Sequence, residues 1–232
     1  MNSKYCELNE YIFEPLNPAR KVKFKKLFSK VNGADVLDLG CGYAGLYWAL
    51  SYFERVKNIY FYDYYAFNID ILNLIIQKLT PEYIQENFAD TVAFLKKIKL
   101  IDPTKSILKI AEELLSKIKH VKIHDFLCDL PNCTFDVVIS SEAIECVEDE
   151  DEFNKVLKNI FNALKPMGKL IGNILNYNKL TEFTQSLITQ KMDGKLNPNE
   201  VELRMYLEKQ GYTNICIEVI RFRSLGNRSK YI

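Results

Sequence analysis

Two kinds of hydrophobic pattern alternate along the chain. Short apolar runs at residues 34–39, 58–64, 121–126 and 135–142 predict strands, and a turn at 164–170 leads into a fifth. Between them, apolar residues recur every three or four positions. This spacing predicts helices over 21–28, 46–53, 66–79, 82–99, 103–119, 149–164 and 199–210. The clearest stripe is Phe153, Val156, Leu157, Ile160, Phe161 and Leu164. Asn17-Pro18 reads as a helix start and Thr80-Pro81 as a break. Strands that alternate with helices predict an α/β fold, a doubly wound Rossmann-like sheet with helices on both faces. Strand material at 212–222 and a short partner at 224–232 would bring the sheet to seven strands, mostly parallel, with an antiparallel C-terminal strand.

A parallel crossover needs one helix. The second and third strands are separated by three helical patterns, so the segment at about 81–102 is predicted to be a helical insertion before the third strand. Two roles stay open for it: cover for the sheet or a homo-oligomer contact, and a lid or wall of a ligand pocket. Nothing else in the composition marks a boundary, so residues 1–232 are predicted to form a single domain.

Composition narrows the function classes. The chain has 232 residues, 48% of them hydrophobic, enough for a sizeable core. Its 31 basic and 30 acidic residues nearly cancel, which argues against nucleic-acid or anionic-membrane binding. Cys6, Cys41, Cys128, Cys133, Cys146 and Cys216 form no C-x-x-C pair, and with His120 and His124 they make a poor metal set; no metal is expected. Residues 1–10 carry no apolar signal core, and no run approaches the ~18 apolar residues of a membrane span. A reduced, cytoplasmic protein is the expectation.

The chemistry begins where the first apolar run stops. Val36-Leu37-Asp38-Leu39-Gly40-Cys41-Gly42-Tyr43-Ala44-Gly45 is a strand, a glycine turn and a helix start in succession. Glycines let a backbone approach a ligand closely. Gly40-x-Gly42-x-x-Gly45 alone also fits a dinucleotide fingerprint. Asp38 separates the two readings, because a carboxylate beside the turn repels a diphosphate and attracts an ammonium group. Asp63, ending the second strand, lies 18 residues after Gly45, near the ~20-residue interval at which an acid meets a ribose diol. A carboxylate accepts two hydroxyl donors, and Tyr64 is placed to lie against a purine. Asp102 is a rival for the same role, at the cost of a long insertion.

Acid-x-Gly-x-Gly after a strand resembles motif I of class I S-adenosylmethionine-dependent methyltransferases. Other stretches add to the likeness: the acid and apolar pair Asp125-Phe126 after the third strand, the opening Phe135-Asp136-Val137-Val138, and the turn Leu164-Lys165-Pro166-Met167-Gly168, where Met167 replaces a glycine of the family. Asp63-Tyr64-x-x-x-Asn68 looks like the branch that holds nicotinamide and phenylethanolamine N-methyltransferases, whereas the later turns fit bacterial metabolite methyltransferases equally well. The resemblance implies S-adenosyl-L-methionine as cofactor and a small-molecule methyl acceptor, with a metabolite or sugar favoured and O- against N-methylation left open. It implies cofactor contacts at Asp38, Gly40, Cys41, Gly42, Asp63, Tyr64, Asn68, Asp125, Phe126 and Ser140, with Asp129 a rival to Asp125. Glu145 and Glu142 are the candidate catalytic bases, and Tyr177 a weaker one. Cys146 stands where many relatives carry histidine, so a histidine base is not expected there. Arg221, Arg223, Arg228 and Lys230 would suit a phosphate-bearing acceptor. A non-catalytic or partner-dependent cofactor-binding subunit and a nicotinamide-dependent reductase are the alternative functions.

Overall fold

The computed structural model describes residues 18–174, 196 and 198–218. Its sheet is built from β1 (Gly33–Leu39), β2 (Val56–Asp63), β3 (Ile118–Ile123), β4 (Phe135–Ser141) and β5 (Leu164–Asn173). All four pairings are parallel, in the order β3-β2-β1-β4-β5. The helices are α1 (Pro18–Lys26), α2 (Gly45–Ala49), α3 (Ala66–Gln77), α4 (Pro81–Lys97), α5 (Ile107–Lys117), α6 (Glu150–Ala163) and α7 (Glu200–Lys209).

Side chains alternate across the strands and so build two cores. Val36, Ile59, Phe61, Val137 and Ile139 pack with apolar residues of α1 to α5. Leu37, Leu39, Tyr62 and Val138 pack on the other face with α6, against which Leu203, Tyr206 and Leu207 of α7 lean. The strand order reverses between β1 and β4. In open α/β sheets, the crevice beyond the carboxyl ends of strands at such a switch is where ligands bind.

Local chemistry explains several helix starts. Thr80 Oγ1 accepts from Tyr83 N at 3.2 Å and Pro81 opens α4, where its missing N–H costs nothing. Asp149 caps α6, and Glu150, Asp151 and Glu152 fill its first turn, where negative charge suits the helix dipole. Asn199 and Glu202 close a capping box on α7.

The expected insertion is a helix, α4, and its apolar stripe of Ile84, Phe88, Val92 and Leu95 is buried. Phe88 meets Tyr47 of α2 at 6.2 Å between ring centroids, and Phe94 meets Phe24 of α1 at 6.2 Å. The described contacts therefore make α4 part of the core that backs α1 and α2.

Four expectations shift. Residues 164–170, expected as a turn into the fifth strand, are already part of β5, because Leu164 pairs with Phe135 and Lys169 with Val137 across an irregular register. β3 starts at Ile118, three residues earlier than its apolar run, because Ile118 already pairs with Ile59 of β2. Among the described residues it is an edge strand, and the exposed Lys119, His120 and Lys122 that blurred its pattern are what an edge carries to discourage strand addition. The helix expected over 46–53 is only α2, followed by a 3-10 turn at Phe53–Arg55. The sheet has five parallel strands among the described residues. Within the expected sixth strand, the described part, 212–218, carries no strand; the rest, with the proposed antiparallel partner, lies outside the described residues.

The amino ends of four strands are tied by one polar cluster. Asp136 Oδ2 accepts from Ala34 N and Asp35 N at 2.9 and 2.7 Å. Lys165 Nζ reaches Asp35 Oδ2 at 2.8 Å and Asp136 Oδ2 at 3.1 Å, and Asn58 donates to Asp35 Oδ1 at 2.7 Å. Asp136 and Lys165 thus explain two of the sequence motifs as framework, at the end of the sheet opposite the switch-point crevice. Met167, within β5 at the irregularity in its register, has φ +67° and is 93% exposed. The left-handed backbone of a glycine persists there without the glycine. Such a residue costs roughly 1–2 kcal/mol, part of which glycine returns as unfolded-chain entropy. Met167→Gly is expected to raise unfolding free energy by about 0.5–1 kcal/mol in urea denaturation. A variant less stable than the parent would contradict the left-handed backbone.

Candidate functional site

The bend after β1 is shaped by close crossings. Gly40 has φ +75°, and a Cβ on it would lie 2.2 Å from Ala143 Cβ and 3.2 Å from Phe126 Cζ, so no other residue fits. Gly42 has φ +58°, but a Cβ there would meet nothing nearer than 3.9 Å. The space over Gly42 is open.

The three amides of this bend are already used. Gly40 N and Cys41 N both donate to Tyr62 O, at 2.8 and 3.3 Å. Gly42 N donates to Asp63 Oδ2 at 2.8 Å. A diphosphate would find no N–H at residues 40–42 to receive it. Asp63 also accepts from Tyr65 N and Asn68 Nδ2, both at 2.9 Å on Oδ1. Buried to 4% exposure, it lashes the bend to β2 and α3. Asn68, expected beside a ligand, orients the Asp63 carboxylate. Asp102, the rival acid, sits at the other end of β2, in a turn where its N–H donates to Glu54.

Asp38 points into the α1–α5 face of the sheet and is 3% exposed. Its Oδ2 has no hydrogen-bond partner of normal geometry. Burial, and then the negative charge of Asp63, push its carboxyl from 3.8 up to about 8, although the nearby Tyr52 hydroxyl works in the opposite direction. Burial and the charges of Asp38 and Asp63 also drive the Cys41 thiol well above its usual range, which removes it as a thiolate nucleophile.

The remaining predicted contacts lie around this bend and along the carboxyl edge of the sheet. Tyr64 is 55% exposed just beyond β2, edge-on to Tyr65 at 5.2 Å. Phe126 leans on Gly40, while Asp125 is exposed and accepts from Leu127 N at 2.9 Å. Ser140 is wholly buried in β4. Glu145 is also enclosed, at 0% exposure, whereas the Glu142 side chain is 33% exposed. The two candidate carboxylates therefore sit in different environments. Tyr177 and the basic residues at 221–230 lie outside the described residues.

Sequence reasoning gave no site role to Lys23, Trp48 or Asn173. Lys23 of α1 forms an ion pair with Glu142, and its Nζ lies 3.4 Å from Ser141 Oγ and 5.5 Å from the Trp48 ring centroid. Asn173, at the end of β5, donates to Glu142 Oε1 at 3.0 Å and accepts from Ser141 Oγ at 2.8 Å. These partners are up to 119 positions apart, so no local pattern announces them.

The Asp38 environment has a consequence for stability. A carboxyl whose folded value is raised favours the folded state fully below the unfolded value and loses that contribution as pH climbs to the folded one. The melting temperature of Asp38→Asn, minus that of the parent, is expected to widen from about pH 4 to about pH 8 and then level off. A difference independent of pH would contradict a buried, protonated Asp38.

Comparison with known proteins bears on the fold and the family. The family model described as NNMT/PNMT/TEMT matches residues 18–194. No curated protein sequence matches the chain. Among solved structures, Haemonchus contortus phosphoethanolamine N-methyltransferase 2 is similar with a TM-score of 0.57 and 16% identity over 91% of this chain and 42% of that one, in its complex with phosphomonomethylethanolamine and S-adenosylhomocysteine. Its complex with S-adenosyl-L-methionine gives 0.56 and 17%, over 90% and 41%. The YcgJ protein of Bacillus subtilis gives 0.52 and 13%, over 82% of this chain and 65% of that chain. This chain thus spans under two thirds of each, and identities this low show a shared fold. The family assignment rests on the sequence match, which takes in the acid, the glycine bend and the strands up to β5: this chain belongs to the NNMT/PNMT/TEMT family of S-adenosylmethionine-dependent methyltransferases.

Proposed function

We propose that the protein transfers a methyl group to a small-molecule acceptor whose nucleophile is an amine or a hydroxyl. The observation that carries this reading is the unpartnered, buried Asp38 Oδ2 beside a bend whose own amides are spent. Such a place stabilises a cation and offers nothing to a phosphate. An α-ammonium group is the complement it lacks, so the residues present fit the amino-acid end of S-adenosylmethionine.

In this reading Asp38 holds the ammonium group, and the open space over Gly42 admits the chain attached to it. Asp63 spends two bonds on Oδ1 and one on Oδ2 within the protein, which leaves Oδ2 to accept from a ribose hydroxyl. Tyr64 and Phe126 flank a purine, and Asp125 accepts from its exocyclic amine. Backbone at Gly40 and Cys41 lines the crevice, and Ser140 supports it from within β4. When bound, S-adenosylmethionine supplies a methyl group made electrophilic by its sulfonium centre. The chain's contribution is alignment and exclusion of water. An amine needs only its lone pair free, whereas a hydroxyl needs a base in reach. Glu142 and Glu145 are the carboxylates beside the carboxyl end of β4, and the exposed one, Glu142, is the better placed to meet an acceptor.

Binding of S-adenosylhomocysteine, followed by calorimetry, tests the assignment. Asp38→Ala and Asp63→Ala are each expected to weaken it at least tenfold, through loss of charge-assisted hydrogen bonds worth about 1.5–3 kcal/mol. NADH is expected to show no saturable binding. Unchanged affinity in both variants, or tight NADH binding, would overturn the reading.

A further inference from the structure

The ammonium of Lys23 is seated like a ligand. It is held by the Glu142 carboxylate, lies 3.4 Å from Ser141 Oγ and is 5.5 Å from the Trp48 ring centroid. A carboxylate, a hydroxyl and an aromatic face are the groups that recognise an alkylammonium ion. The seat is firmly built. Asn173 Nδ2 braces Glu142 Oε1 at 3.0 Å, Ser141 Oγ donates to Asn173 Oδ1 at 2.8 Å, and Glu142 N donates to Asn173 O at 2.8 Å. Glu142 also holds a left-handed backbone, φ +59°, which glutamate rarely adopts and which the surrounding bonds must maintain. Its other oxygen, Oε2, receives no hydrogen bond from a described residue, and the side chain is 33% exposed. All of this stands just beyond the carboxyl ends of β4 and β5, on the switch-point side of the sheet.

We propose that Lys23 is an internal competitor for an ammonium-binding seat made by Glu142, Ser141 and Trp48, and that a cationic amine ligand occupies this seat by displacing it. The inference deepens the methyl-transfer reading by making the seat part of the acceptor site, and it rests on that reading for its role. Lys23 rides on α1, packed through Phe24 against Tyr47 and Trp48, so displacing its flexible side chain leaves the helix in place. With Lys23 in the seat, the carboxylate is neutralised and weak amines are excluded. A ligand must offer contacts beyond its ammonium group to win the exchange, which makes Lys23 a filter on acceptor choice.

Trp48 is the single tryptophan of the chain and reports on the seat directly. n-Butylammonium, which reproduces the end of a lysine side chain, is titrated into protein saturated with S-adenosylhomocysteine while Trp48 emission is followed. Lys23→Ala is expected to bind it at least tenfold more tightly than the parent, with a saturable emission change. Lys23→Ala combined with Glu142→Gln is expected to lose that gain, while n-butanol gives no saturable change in any form. Equal responses of Lys23→Ala and the parent, or a gain that survives Glu142→Gln, would overturn the proposal. Calorimetry of S-adenosylhomocysteine on the same proteins keeps the two readings apart. Retained cofactor binding without an amine seat removes only this inference, and failure of all forms to bind the cofactor removes the methyl-transfer reading itself. Melting curves identify a variant that fails to fold, and Lys23→Met with its near-isosteric stem then takes the place of Lys23→Ala.

Discussion

A buried carboxyl group with one oxygen left without a hydrogen bond is the constraint on which this site depends. Removing a carboxylate from water is costly unless charge or hydrogen bonds compensate it, and Asp38 has neither in full. The neighbouring acid, Asp63, has spent three bonds within the protein and adds repulsion. Under the glycine bend, burial and the charge of Asp63 make Asp38 hold its proton, which a bound cation would release. The fold supplies the rest, because β1 lies next to β4 where the strand order reverses, and the bend follows β1 at that switch.

Framework and function divide between the two ends of the sheet. At the amino ends, Asp35, Asn58, Asp136 and Lys165 tie four strands together. At the carboxyl ends, polar groups are arranged for other purposes: Asp63 shapes the bend, and Glu142, Ser141 and Asn173 surround the ammonium of Lys23. Helix α4 belongs to the framework, since its buried aromatic contacts hold α1 and α2 against the sheet. Strained backbone occurs at both ends, at Met167 and at Glu142, but only Glu142 is braced by several side chains.

Much of the architecture was legible in the sequence because it is local. Apolar runs and stripes locate four strands and seven helices with errors of a few residues at their ends, the fifth strand starts inside the stretch expected as a turn, and Asp38-x-Gly40-x-Gly42 announces its own strand, bend and helix. The edge strand β3 was misplaced by three residues because its outward lysines and histidine break the alternation that marks a buried strand. What the Phe135-Asp136 and Lys165 motifs do was not legible either, since their roles depend on strands that meet only in the folded sheet. The same holds for Asn68, which braces Asp63, and for Lys23, whose partner Glu142 lies 119 positions away. Local spacing reveals a cradle; a wall assembled from α1, β4 and β5 appears only once the chain has folded.

A crystal structure with S-adenosylhomocysteine tests the electrostatic account most directly. The account predicts the α-ammonium of the ligand beside Asp38 Oδ2, with the amino-acid chain crossing over Gly42. A ligand whose carboxylate or ribose occupies that position, with Asp38 still unpartnered, would contradict it.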